Sequence, residues 1–515
     1  MKHTAKRLKA GWVLFLLTAL VTFACNLPNL SRVTPTPNTG LSTLPLEATP
    51  DVQVTPTPET QETPVIDEAL PMIPTQAYAQ YDMMPYTVQA GDTLPALAAR
   101  FRTNVGNILA DNSILLPPGQ STTLEPGLEL TIRLNEDPFW DAGVVILPNS
   151  LFINGPSTTD FDVQTYLDST DGWLRDYADR SGEQPVSGAE LVNNVAANYS
   201  INSRLLLALL EYRLNALTGT QTPNSFSLGN YDPGRQTLGR QLSWAANVLN
   251  NAYYGWRQGV FIQYTSLSGF TVNPSPWQNA ATVAIQSYFS RFQSATVYEE
   301  AITNGGFLQT YENLFGPVSW DSAVEWSLIP ADLRQPYLRL PFLSGLRWAY
   351  TAGPHSGWGT GYPWAAIDFA PPAETAGCTP SQHWAVAVAD GLIIRSEDGL
   401  VLQDLDGDGN GRTGWVILYL HVFPDGAPAV GDWLSIGDRL GHPSCTGGTS
   451  TGRNLHIARL YNGEWISADG VIPLNLDGWQ VQEGIMEYKG ALSRDDQTIY
   501  PSNLGVWSSQ LTADP

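Results

Sequence analysis

Apolar residues recur at helical spacing over residues 148–339 and then, from 340 onward, fall into short runs separated by Gly, Asp and Pro. Helix and strand patterns are therefore segregated along the chain, which predicts a multidomain α+β protein. In the first segment Leu205, Leu206, Leu209, Leu210, Leu214 and Leu217 share one helical face within 203–217, and Ser187-Gly188-Ala189-Glu190 is a capping box opening a helix over 191–199. Further helices are predicted at 238–254 and 277–292. In the second segment strands are predicted at 384–389, 391–396, 400–403 and 414–421. At about 150 residues per domain, 515 residues leave room for roughly three cores.

Charge and cysteine count narrow the chemistry. Lys and Arg number 26 against 49 Asp and Glu, and a net charge of -23 repels phosphate backbones, so nucleic acid is excluded as a partner. Three cysteines cannot form a disulfide scaffold or a four-thiolate zinc ribbon, so any metal must be held by His and carboxylate. Residues 1–25 read as an export signal: Lys2, His3, Lys6, Arg7 and Lys9 precede an uncharged apolar run over 13–24, too short to span a bilayer. Thr22-Phe23-Ala24-Cys25 resembles a bacterial lipobox, in which Cys25 would be lipidated and anchor the chain to a membrane; cleavage by ordinary signal peptidase is the alternative. Either route is extracytoplasmic, where Cys378 and Cys445 are expected to pair as a disulfide. Residues 26–85, rich in Pro and Thr with TPTP twice, lack the apolar surface to fold and read as an extended tether.

Over 86–134 a strand-like segment, Tyr86-Thr87-Val88-Gln89-Ala90-Gly91-Asp92-Thr93, leads into helical stretches at 94–101 and 104–112, and Pro126-Gly127-Leu128-Glu129-Leu130 reads as turn and strand. The series YTVQAGDT, ALAARF, NILADN and PGLEL resembles a LysM module. That resemblance implies a βααβ fold binding N-acetylglucosamine-containing glycans such as peptidoglycan. In the helical segment, 148–339, Glu211 follows LLLALL, where lysozyme-like transglycosylases carry their acid, but Tyr212-Arg213 stands where those enzymes have Ser. The segment is expected to be an α-helical, lysozyme-like domain of unknown role, with Glu211 a solvated helix residue.

Five of the six histidines lie beyond residue 350. Gly353-Pro354-His355, Trp364-Ala365-Ala366-Ile367-Asp368-Phe369, Tyr419-Leu420-His421-Val422 and Thr451-Gly452-Arg453-Asn454-Leu455-His456-Ile457 resemble, in order, the motifs of the zinc endopeptidases that include lysostaphin, β-lytic endopeptidase and staphylolysin. The similarity covers 340–500. The thirteen-residue step from His355 to Asp368 fits the staphylolysin and β-lytic branch. The resemblance implies an antiparallel β-rich domain with His355, Asp368 and His456 as zinc ligands and His421 as a catalytic histidine. It also implies hydrolysis of peptidoglycan peptide bonds. Asn454 stands where the family has a second catalytic histidine; its amide can hydrogen-bond but cannot shuttle a proton. Three readings stay open: an endopeptidase working through His421 alone, a zinc-loaded but inert wall scaffold or regulator of wall hydrolases, and a metal-free structural domain. His442 could stand in for the missing imidazole, and His383 has no evident partner. Asp404, Asp406 and Asp408, with Gly409 following, open like a calcium loop, but Trp415 occupies the twelfth position, where such a loop needs Glu. This stretch reads as an acidic hairpin turn able to hold calcium in a structural role.

Overall fold

The computed structural model describes residues 78–114, 124–136, 140–141, 143–180, 184–372 and 377–514. The export signal, the tether up to residue 77 and Cys25 lie outside the described residues. No helix among those described is long and apolar enough to cross a membrane.

The first unit is strand Met83–Thr87, helices Leu94–Arg100 and Val105–Asp111, and strand Glu129–Arg133, with the two strands antiparallel. Thr93 caps the first helix by accepting from Ala96 N, and Asn104 caps the second by accepting from Asn107 N. The unit is not a loose bead. Trp277 of the helical segment enters its core edge-on against Phe101 and donates to Pro85 O, while Arg100 donates to Trp256 O.

In the helical segment the capping box is present: Ser187 Oγ accepts from Glu190 N and Glu190 Oε2 from Ser187 N, opening helix Gly188–Tyr199. The helix predicted over 203–217 stops at Leu214. Asn215 turns left-handed (φ 49°), and the last apolar residues reach the core from the following turn. Helix Leu238–Gln258 is the long central rod, packed along helix Ala280–Phe289 and ended by Gly259 at φ 73°.

Beyond it a nine-stranded antiparallel sheet runs in the order Trp433–Leu434, Gly391–Glu397, Leu400–Asp404, Trp415–Leu420, Leu455–Tyr461, Ala366–Ala370, Arg347–His355, Gln510–Thr512, with Glu464–Trp465 paired off Leu455–Tyr461. The last strand pairs Gln510 with Ala349, so the domain extends past residue 500, where the sequence reading ended it. That strand has only three residues and follows a Pro/Ser/Gly stretch, too little alternation to read as structure.

Both faces of the central strands are buried. Val416, Leu418 and Leu420 point into the core shared with the helical segment, whereas Ile417 and Tyr419 point into the second core beneath a four-stranded sheet over 475–499. Strand Trp415–Leu420 is accordingly an unbroken apolar run, WVILYL, instead of an alternating one. Arg257 ties all three parts together. Its guanidinium pairs with buried Glu464 at 2.9 Å and donates to Ala90 O at 2.9 Å.

Candidate metal centre

His355, Asp368 and His456 meet on the sheet face shared with the helical segment. The period of two dictates this: Ile367 and Phe369 fill the second core, so Asp368 between them points the other way, as does His456 between Leu455 and Ile457. Asp368 and His456 are direct cross-strand partners, and two register shifts in Arg347–His355 bring His355 to the same place from the neighbouring strand.

The inward atoms are His355 Nε2, His456 Nδ1 and Asp368 Oδ1. They lie 3.0 Å apart for the two nitrogens, and 3.3 and 3.2 Å for His355 and His456 to the carboxylate. The outer ring nitrogens face backbone carbonyls, His355 Nδ1 with Gly353 O at 2.8 Å and His456 Nε2 with Gly357 O at 3.2 Å. Donation to those carbonyls fixes each tautomer and leaves lone pairs pointing inward. Three electron-rich atoms in a buried pocket repel one another unless a metal ion or a proton lies between them. Zinc ligands at about 2.0 Å in a tetrahedron are about 3.3 Å apart, close to the spacing found here. Asp368 Oδ1 is buried and no hydrogen bond reaches it, whereas Oδ2 accepts from Asn454 Nδ2 at 3.2 Å. The donor set therefore fits zinc: two imidazoles and one carboxylate oxygen, with room on the cavity side.

The electrostatics agree. Burial, the largest influence, opposes charge on His355, but Asp368 together with the Gly353 carbonyl and Glu487 raises its pKa above the ordinary 6.5. Burial also works against the Asp368 carboxylate, yet the two imidazoles hold its pKa well below the usual range.

His421 follows strand Trp415–Leu420 in a left-handed conformation (φ 70°) that non-glycine residues rarely adopt. Its carbonyl accepts from Ser444 N at 2.7 Å and its Nδ1 faces Thr446 O at 3.0 Å, leaving Nε2 unengaged by that contact. Burial, then His456, pushes its pKa down to about 4, so the ring is neutral at physiological pH. The loop that holds it is stapled by the Cys378–Cys445 disulfide, with Cα atoms 5.2 Å apart. His355, Asp368, His421, Asn454 and His456 all line one cavity of about 980 Å³.

The other sequence candidates lie elsewhere. Glu211 is half-buried and away from the cavity: its carboxylate accepts from Leu217 N, Thr218 N and Thr218 Oγ1, closing the turn after its helix. His442 faces His383 O and packs on Trp384, and neither His442 nor His383 lines the cavity. Asp404, Asp406 and Asp408 cluster, but they accept from amides of their own turn, Asp404 from Asp406 N and Gly409 N and Asp408 from Asn410 N. Tyr488, whose ring stacks on His355 at 4.7 Å, was not foreseen. The carbonyl partners were not either, although Gly357, Gly359 and Gly361 so soon after His355 signal backbone lying close to other groups.

Residues 145–327 match the family described as LasA, N-terminal domain, and residues 86–133 match the LysM domain. Protease LasA of Pseudomonas aeruginosa (strain UCBPP-PA14) is 24% identical over 341 residues, covering 63% of this chain and 75% of that protein. Among solved structures, the M23 metalloprotease pseudoalterin from the deep sea is 22% identical, covers 32% of this chain and 96% of its own, and gives a TM-score of 0.27. The catalytic domain of lysostaphin from Staphylococcus simulans is 22% identical, covers 24% and 89%, and gives 0.17.

Proposed function

We propose that this relative of protease LasA, with a LysM module ahead of its helical segment, is an exported zinc endopeptidase that hydrolyses peptide bonds of peptidoglycan. The observation that carries the reading is the convergence of His355 Nε2, Asp368 Oδ1 and His456 Nδ1, three lone-pair atoms with their second partners already fixed. These three residues would hold zinc, which supplies a Lewis acid for the peptide carbonyl and acidifies water. His421, neutral because its pKa lies near 4, accepts the proton of the attacking water at Nε2 and passes it to the leaving amine; its Nδ1 stays on Thr446 O and keeps the ring in one tautomer. Asn454 moves no proton. It holds Asp368 Oδ2, so that Oδ1 faces inward, and its buried Oδ1 has no partner of its own on the cavity wall.

Glycan binding by residues 86–134 would bring peptide stems to the cavity at high local concentration. The Cys25 lipobox would keep the enzyme at the membrane surface, facing the wall. Calcium at Asp404, Asp406 and Asp408 would only brace a hairpin. A second reading rests on Asn454: without the usual imidazole the domain would hold zinc and act as a wall-bound scaffold or regulator. Zinc content and peptide-bond release from purified peptidoglycan decide between them. Activity in the parent that vanishes in His421→Ala supports the enzyme; activity only in Asn454→His supports the scaffold; a parent without zinc sinks both.

A further inference from the structure

The segment that leaves His355 is gripped from the helical part of the chain. Ser356-Gly357-Trp358-Gly359-Thr360-Gly361-Tyr362 meets helix Leu238–Gln258 at Asn247 and Asn251, which stand one turn apart on one face. Asn247 Oδ1 accepts from Thr360 N at 2.8 Å and its Nδ2 donates to Thr360 Oγ1 at 3.1 Å. Asn251 Nδ2 donates to Thr360 O at 2.7 Å and its Oδ1 accepts from Tyr362 N at 3.0 Å. Each amide thus uses both its donor and its acceptor on the same short stretch of chain. The approach is close enough to require glycine. Gly359 and Gly361 have φ of 77° and 83°, and a Cβ there would lie 2.4 Å from Asn247 Oδ1 and 1.9 Å from Asn251 Oδ1.

This segment carries the carbonyl of Gly357, which faces His456 Nε2. Gly357 itself rests on Trp465, where a Cβ would be 2.7 Å from the indole, and Trp465 donates its indole N–H to Tyr199 O and its backbone N–H to the Tyr254 hydroxyl. Trp358 and Tyr362 pack their rings against the helical core, but Gly357, Gly359 and Gly361 offer no side chain, so where the backbone sits between and beside those rings depends on what grips it. We infer that Asn247 and Asn251 are positioning residues of the metal centre: by clamping the 356–362 segment they fix the Gly357 carbonyl that orients the His456 imidazole. The helical segment is then a working part of the site and not a spacer.

The inference rests on the zinc reading above, and its test separates the two. Zinc affinity is measured by chelator competition in the full chain, its Asn247→Ala/Asn251→Ala double variant, and the Asn247→Ala and Asn247→Asp single variants. The visible spectrum of each Co(II)-loaded protein and its melting in chelator are recorded alongside. Loss of an outer partner of a metal-bound histidine typically costs about 10–100-fold in affinity, which is the expected loss for the double variant. Asn247→Ala alone should lose less, and Asn247→Asp, which still accepts from Thr360 N, should stay nearest the parent. The cobalt bands should shift in the double variant, because the His456 ring is free to reorient. A double variant that melts like the parent in chelator and yet holds zinc with parent affinity and an unchanged cobalt spectrum overturns the inference alone. If the double variant does not fold, parent affinity in the Asn247→Ala protein overturns it. A parent that takes up no zinc overturns the zinc reading and the inference together.

Discussion

Asp368 and His456 are opposed residue for residue across two antiparallel strands, and His355 reaches the same point from the next strand through two register shifts. Because the ligands are fixed by a sheet buried on both faces, the sheet should survive loss of any one of them. His456→Ala should abolish tight zinc binding, well beyond the about 10–100-fold cost of an outer partner, while melting in chelator changes little. Metal content after dialysis checks this; stoichiometric zinc in the variant would refute the ligand set.

Asn454 holds the far oxygen of Asp368. Asn454→Ala should weaken zinc by about 10–100-fold, as for other partners behind a ligand. His421→Ala should leave zinc affinity near that of the parent and lower kcat by about 10²–10⁴-fold, the range for one proton-transfer group. Equal losses of zinc in both variants would mean that His421 serves the metal and not the proton.

In the metal-free protein Asp368 raises the pKa of His355 above 6.5, and zinc needs the same nitrogen bare. Binding should therefore release protons near neutral pH and weaken as pH falls; isothermal titration in buffers of different ionisation enthalpy reports the proton count. The sign for stability is opposite to that for affinity. The contribution of His355 to the metal-free fold is fully present below 6.5 and is lost as pH rises through its higher folded value. His421, pushed down to about 4, should put no acid limb near neutrality into the kcat profile of the zinc-saturated enzyme. A limb between pH 6 and 7 that disappears in His421→Ala would contradict this assignment.

The Cys378–Cys445 bridge closes a loop across 67 residues, worth about 4 kcal/mol on loop-entropy grounds. It also staples the turn that carries Ser444 and Thr446 against His421. Replacing both cysteines with Ser should lower the melting temperature and reduce kcat more than zinc affinity. An unchanged kcat would show that the His421 loop holds its own shape.

Arg257 and Glu464 form a buried pair joining the helical rod to the sheet. Arg257→Ala should destabilise by about 3–5 kcal/mol, since it strands a buried carboxylate, measured by denaturant unfolding. A cost below about 1 kcal/mol would place the pair among those that solvent screens.

Much of this protein follows from the chain alone. The candidate ligand set comes from the resemblance of its motifs to a zinc endopeptidase family; the period of the apolar residues separates helices from strands, and the capping box opens its helix at Ser187. Local rules suffice there, because helix caps and strand alternation involve residues a few positions apart. The strand Gln510–Thr512 and the stacking of Tyr488 on His355 could not be read locally, because each is defined by a partner distant in sequence. The tertiary structure alone decided how the lone pairs of His355, His456 and Asp368 come to face one another. It did so by strand register, two bulges and backbone carbonyls, one of them on a segment clamped by asparagines more than a hundred residues upstream. Family motifs can nominate ligands, but where a ring nitrogen points is set by packing, and packing is a property of the whole fold.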